Sequence, residues 1–150
     1  MVHALGAAKS SMLGLVAMLL VAVTSAAQEF GDFTLTTDGG DGSVSEGTPA
    51  SSFTLRFTIT GNHDETANRF TRFQAEETAD TEVVYIWNYS TEDDGPSFDL
   101  AGMTVDGSDT QLTNNSGPST RSGTGSLELD ADTSFGWYVL STDGLFGAGS

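Results

Sequence analysis

The stretch Val83-Val84-Tyr85-Ile86-Trp87-Asn88-Tyr89 decides how the rest of the chain is read. Val83, Tyr85, Trp87 and Tyr89 recur at every second residue, the period at which strand side chains return to one face, while Val84 and Ile86 give the opposite face apolar groups. A strand apolar on both faces in its first half belongs in the middle of a sheet. Glu92-Asp93-Asp94-Gly95-Pro96 follows at once, and neither strand nor helix continues through such a turn.

Working outward, Phe135, Trp137 and Val139 share one face of a second aromatic run and Gly136, Tyr138 and Leu140 the other, which predicts a second central strand. In Ser51 to Thr60, Phe53, Leu55, Phe57 and Ile59 alternate with Ser52, Thr54, Arg56 and Thr58, the pattern of a half-buried strand. Phe30 to Thr37 reads as a first strand through Phe33 and Leu35, and the glycine-rich stretch from Asp38 to Pro49 as loop or ragged edge. Asn68 to Glu76 carries Phe70 and Phe73, whose spacing fits neither alternation nor a long helix, so a short irregular strand is expected there. Ala101 to Val105 reaches Asp106-Gly107, a hairpin signal because both residues tolerate positive φ, with Thr110 to Thr113 as the return strand. Gly125, Leu127 and Leu129 alternate with Ser126 and Glu128 in a penultimate strand. About eight short strands separated by turns, with no amphipathic helical run beyond residue 27, predict an all-β, antiparallel β-sandwich of jelly-roll or immunoglobulin-like kind.

The first 27 residues stand apart. His3 and Lys9 make a weakly basic start, Met12 to Val23 is an apolar run, and Ser25-Ala26-Ala27 is a small-residue cleavage pattern, which together predict a secretory signal peptide cut before Gln28. The apolar run is too short for a spanning helix, which needs about 20 such residues. There is no cysteine, so neither a lipid anchor at the cut nor a disulfide is available. Residues 28–150 then form a single domain that must be held by its core or by a bound ion. All 21 acidic residues lie in that domain against four arginines, Arg56, Arg69, Arg72 and Arg121, a formal charge of −17. Such a surface repels nucleic acid and anionic membranes and attracts cations.

Inventory argues against nucleophilic catalysis. Cysteine is absent, and His63 is the single histidine after the leader, set in a polar turn without a Gly-x-Ser-x-Gly elbow. Zinc would need several Cys or His ligands, and the Gly39-Gly40-Asp41-Gly42 cluster has an acid where a phosphate loop needs lysine or a helix start. Paired carboxylates are plentiful, but glycosidase chemistry wants two of them across a deep cleft, and a domain this small rarely builds one. The expectation is a protein that is not an enzyme.

Two constellations remain. Tyr89-Ser90-Thr91-Glu92-Asp93 and Leu140-Ser141-Thr142-Asp143 are similar exits from the two aromatic strands. If those strands are neighbours running the same way, Glu92, Asp93, Asp94, Asp99 and Asp143 offer oxygens to a hard cation such as calcium, against the competing reading of solvated turn caps. The second is a sugar-stacking platform of Trp87, Tyr89, Trp137 and Tyr138, against the competing reading of core packing.

Several segments of the second half carry a resemblance. They are Trp87 to Thr91, Asp94 to Gly102, Asp106-Gly107 with Thr110 to Thr113, Ser122-Gly123-Thr124-Gly125-Ser126, and Phe135 to Asp143 ending in Phe146-Gly147-Ala148, with a weaker echo at Asp38 to Ser43 and Thr58 to Gly61. Their order resembles a β-sandwich domain that recurs in secreted bacterial proteins sorted by exosortase, the PEP-CTERM class. The resemblance implies an exported, non-catalytic protein of the cell surface or extracellular matrix, meeting extracellular polysaccharide or surface proteins, and it supplies no catalytic residues. The family's sorting tail, with its Pro-Glu-Pro motif, apolar helix and basic terminus, and a closing strand expected after Ala148, are not in this sequence. The chain therefore reads as a fragment truncated at its C-terminus or as a released version. The alternative function is a carbohydrate-binding module of a larger secreted protein.

Overall fold

The computed structural model describes residues 18–23, 28–49, 54–93 and 95–143. Among these described residues, ten strands form two five-stranded antiparallel sheets. Sheet I holds, in spatial order, β3 (Ser43–Glu46), β4 (Thr54–Thr60), β1 (Met18–Val23), β6 (Thr81–Ser90) and β9 (Thr120–Leu129). Sheet II holds β2 (Thr34–Thr36), β5 (Arg69–Glu76), β10 (Ser134–Ser141), β7 (Asp99–Val105) and β8 (Ser108–Gln111). Among consecutive strands only β3–β4 and β7–β8 sit side by side in one sheet. Every other link crosses between the sheets, so the chain stitches one antiparallel β-sandwich.

The core forms where the two inner faces meet. Val83, Tyr85, Trp87 and Tyr89 of β6 are buried along the face that alternation assigns them, while Ile86 on the other face is 39% exposed. Phe135, Trp137 and Val139 of β10 oppose them, and Leu55, Phe57 and Ile59 of β4 complete the layer; Phe53 lies outside the described residues. Trp137 is the hub, with ring centroids 5.4 Å from Phe57, 5.9 Å from Phe135 and 6.0 Å from Tyr85. Full burial of one such side chain is worth about 1.5–3 kcal/mol, so this cluster carries the stability that disulfides cannot supply.

Four local expectations change. Phe30–Asp32 is a 3-10 turn, so the first strand shrinks to Thr34–Thr36, and the ragged edge contains a true edge strand, β3. Asn68 to Glu76 contains no irregularity: β5 pairs continuously with β10 from Arg69↔Ser141 to Glu76↔Ser134. The spacing of three simply puts Phe73 in the core and Phe70 outside, edge-to-face with Tyr138 at 5.4 Å. Finally, the two aromatic strands are not neighbours in a sheet. β6 and β10 face each other across the core, because the link after β6 crosses to sheet II.

Candidate functional site

One end of the sandwich collects the loops that the sequence singled out. β4 and β6 run the same way, each antiparallel to β1, so Thr60 and Ser90 finish at the same end. In sheet II, Ser141 at the end of β10 sits opposite both Arg69, where β5 begins, and Asp99, where β7 begins. The loops around Asp38–Asp41, Asn62–Thr66, Thr91–Phe98 and Asn114–Ser119 therefore share this end with Thr142 and Asp143.

The exit of β6 is closed by a polar latch. The Tyr89 hydroxyl donates to the Asp99 carbonyl at 2.6 Å, and the Thr91 hydroxyl donates to Asp99 Oδ2 at 2.9 Å. Thr91 Oγ1 also accepts the Asp93 N–H at 3.2 Å, and the Thr91 N–H donates to the Ser119 carbonyl at 3.0 Å. Asp99 is only 1% exposed, and its charge together with burial acts on the Tyr89 phenol, pushing its pKa far above the usual range, burial first. The exit of β10 joins the same latch, because Thr142 donates its N–H to the Phe98 carbonyl at 2.7 Å and its hydroxyl to the same oxygen at 3.0 Å.

Two of the proposed cation ligands, Asp93 and Asp99, are thus buried, Glu92 is exposed and Asp143 is half-buried, all at one end although their strands lie in opposite sheets. Asp94 lies outside the described residues. Among the described residues, no three His, Cys, Asp or Glu side chains converge on a cation position. The residues named for sugar stacking are in the core: Trp87 is 9% exposed, Tyr89 2% and Trp137 0%, and Tyr138 lies over Gly102 beneath Arg72. None of them offers a ring face to a ligand.

Beside the latch is a second clasp that sequence reasoning passed over. Asn62, 2% exposed, accepts the Asp41 N–H at 2.8 Å and donates to Asp64 Oδ1 at 2.6 Å and to the Thr66 carbonyl at 3.1 Å. Asp41 Oδ1 in turn accepts the His63 N–H at 2.6 Å. The signal was present in the glycines of Gly39-Gly40-Asp41-Gly42, since a Cβ on Gly40 would strike the Asn62 amide. The two arginines at this end are engaged by the loops around them: Arg69 donates to the Asp38 carbonyl, and Arg121 to the carbonyls of Pro118 and Ser116 and to the Asn114 side chain. What reaches the solvent here is acidic, with Asp38, Asp41, Asp64, Glu65 and Glu92 all exposed. A shallow groove of about 410 Å³ opens elsewhere, at the β2 edge of sheet II, between Asp32, Thr34, Thr36, Gln74, Glu76 and Ser134. No helix among the described residues is long and apolar enough to cross a membrane.

Comparison with protein-family models, with curated proteins and with solved structures finds no match for this chain.

Proposed function

We propose that this chain is an exported, non-catalytic β-sandwich protein of the cell surface or extracellular matrix, working by adhesion or as a structural component. The observation that carries this reading is the acidic end. Five exposed carboxylates project from its loops, while both of its arginines are spent on loop carbonyls and side chains. A surface of that sign attracts divalent cations such as calcium and repels other polyanions without them. It suits cation-bridged contact with acidic extracellular polysaccharide or with acidic surface proteins. The leader-like residues 1–27 and the resemblance to the PEP-CTERM class support a location outside the cell.

Two measurements test the proposal. The protein should be recovered from the extracellular or surface fraction with Gln28 as its first residue by mass. It should also bind acidic exopolysaccharide in millimolar calcium, release it in chelator, and lose that binding in the triple variant Asp38→Asn, Glu65→Gln, Glu92→Gln with an unchanged Tm. Recovery from the cytosol with Met1 intact, or binding indifferent to both calcium and the triple variant, would sink it.

A further inference from the structure

In sheet I the strands β4 and β6 meet only through β1, which pairs Met18↔Phe57 to Val21↔Thr54 on one side and Leu19↔Ile86 to Val23↔Glu82 on the other. All six residues of β1 fall inside the segment read as a cleaved leader. Without it, a gap of two strand spacings, about 9.5 Å, runs through the middle of the sheet. Two observations keep that gap from closing on itself. Both walls are antiparallel to β1 and therefore parallel to each other, so bonding them directly would put a parallel pair among ladders that are otherwise all antiparallel. Each wall is also anchored separately on sheet II. Phe57 of β4 and Tyr85 of β6 both rest against Trp137, at 5.4 and 6.0 Å between ring centroids. Moving one wall by a strand spacing to meet the other would pull a buried ring off that tryptophan and leave a void. The gap thus presents two rows of backbone N–H and C=O groups that another strand can satisfy.

We propose that in the cleaved protein this gap docks a strand donated by another polypeptide: an extended, apolar, uncharged segment flanked by lysine or arginine. The proposal rests on the export reading above and gives its adhesive or structural role a partner of defined chemistry, bound by strand addition. β1 shows what the walls accept. Its sequence, Met18-Leu19-Leu20-Val21-Ala22-Val23, carries no charge. Positions 18, 20 and 22 lie in register with Phe57, Leu55, Tyr85 and Val83, all buried, so a charge donated there would be sealed in the core. Positions 19 and 21 lie in register with the outer-face residues Arg56, Ile86 and Val84.

The flanks follow from the charges at the mouths of the gap. Position 23 lies opposite Glu82, and Glu82 is itself paired with Glu128, two exposed carboxylates side by side on β6 and β9. Like charges directly opposite each other destabilise a ladder, and a cation arriving at the end of the donated strand relieves them. At the other mouth, just beyond β6, Glu92 is exposed. The same charges disfavour a second copy as donor, since two domains of −17 repel each other. Every strand among the described residues is also already bonded within a sheet, so a donating copy would have to dismantle its own sandwich.

The test uses the exported, cleaved protein and a synthetic peptide carrying the Met18–Val23 sequence between lysine pairs. Saturating peptide should raise the Tm by about 5 °C or more. It should also slow hydrogen exchange of the gap-facing amides in Leu55–Phe57 and Val83–Ile86 at least about tenfold. Proline at the peptide's Leu20 position, which removes a ladder donor, should abolish both effects. Glutamates in place of the lysines should weaken binding at least about tenfold. Should the cleaved protein be unfolded alone, the peptide should restore its tryptophan near-ultraviolet signal. Register gives a further readout in a chain without cysteine. A Val84→Cys protein should form a disulfide with a peptide carrying cysteine at the Val21 position and not with one carrying it at the Leu20 position. Gap-facing amides already protected in a monomer that ignores the peptide overturn the proposal, because the chain then fills the gap itself. So does a dimer whose protection rises with concentration, which makes a second copy the donor, and so does binding indifferent to the proline and to the register. Secreted protein that still contains residues 18–23 by mass overturns the leader reading and this proposal with it, and the mass separates that failure from the others.

Discussion

At the scale of single residues, the acidic end is held by a few buried hydrogen bonds of unequal weight. Tyr89→Phe removes a neutral donor from the Asp99 carbonyl and should cost about 1–2 kcal/mol in urea unfolding. Thr91→Val removes a donor from the buried Asp99 carboxylate and should cost more, about 2–3 kcal/mol, because an ion loses more than a carbonyl when its partner goes. The reverse order would mean that Asp99 draws its stabilisation from elsewhere. Neither bond was legible in the sequence, although both residues were: the turn chemistry of Thr91 to Asp99 predicts a loop, while the crossing to sheet II decides which oxygen lies above which hydroxyl.

At the scale of elements, β9 is instructive. It pairs with β6 along ten residues, and its inward positions opposite Trp87 and Tyr85 are Gly123 and Gly125. A Cβ on Gly123 would lie 2.7 Å from the Trp87 indole nitrogen, and one on Gly125 would enter the Tyr85 ring. The rings therefore lie across the glycines of this edge strand, covering backbone that would otherwise be bare. Gly125→Val should destabilise the domain by about 1–3 kcal/mol through overpacking, even though valine is the better strand former. Ser126→Val, one residue on and exposed, should be neutral or mildly stabilising. Equal effects at the two positions in thermal unfolding would remove the ring-over-glycine account. The Ser122 to Ser126 motif was visible in the sequence, but its partners were not, because register is set by the pairing of β6 with β9. The Asp106-Gly107 hairpin needed no such help. Its two residues, at φ 48° and 74°, build a two-residue turn of type I′ from local preference alone.

At the scale of the whole molecule, titration should bound stability on both sides. All three tyrosines have pKa values raised above the usual 10.0 by burial, Tyr89 also by Asp99. Each is neutral in the folded state where an unfolded phenol would ionise. Their contribution is therefore complete below about pH 10 and lost as the pH rises from there through the higher folded values. Phenolate absorbance at 295 nm should appear together with loss of tryptophan near-ultraviolet signal, and phenolate forming in a still-folded protein would contradict this. On the acid side, the Arg72 guanidinium, 2.7 Å away, holds Asp109 below the usual 3.8, and Asn62 does the same for exposed Asp64. Those contributions are complete above about pH 4 and vanish as the pH falls through the lower folded values.

The same scale separates what the sequence determined from what tertiary structure decided. Period-two alternation in β4, β6 and β10 was sufficient to assign the inward residues and the antiparallel sandwich, because a strand has only two faces and water sorts them. The acidic surface and the hairpin turn were equally local. Tertiary structure alone decided that β6 and β10 oppose each other across the core, and that Asp99 is sealed beneath Thr91. It also decided that β4 and β6 stand one strand apart with Met18–Val23 between them. Each of these depends on which strands pair. Pairing is fixed by the burial the assembled sheets achieve together, a quantity that no single stretch of chain carries.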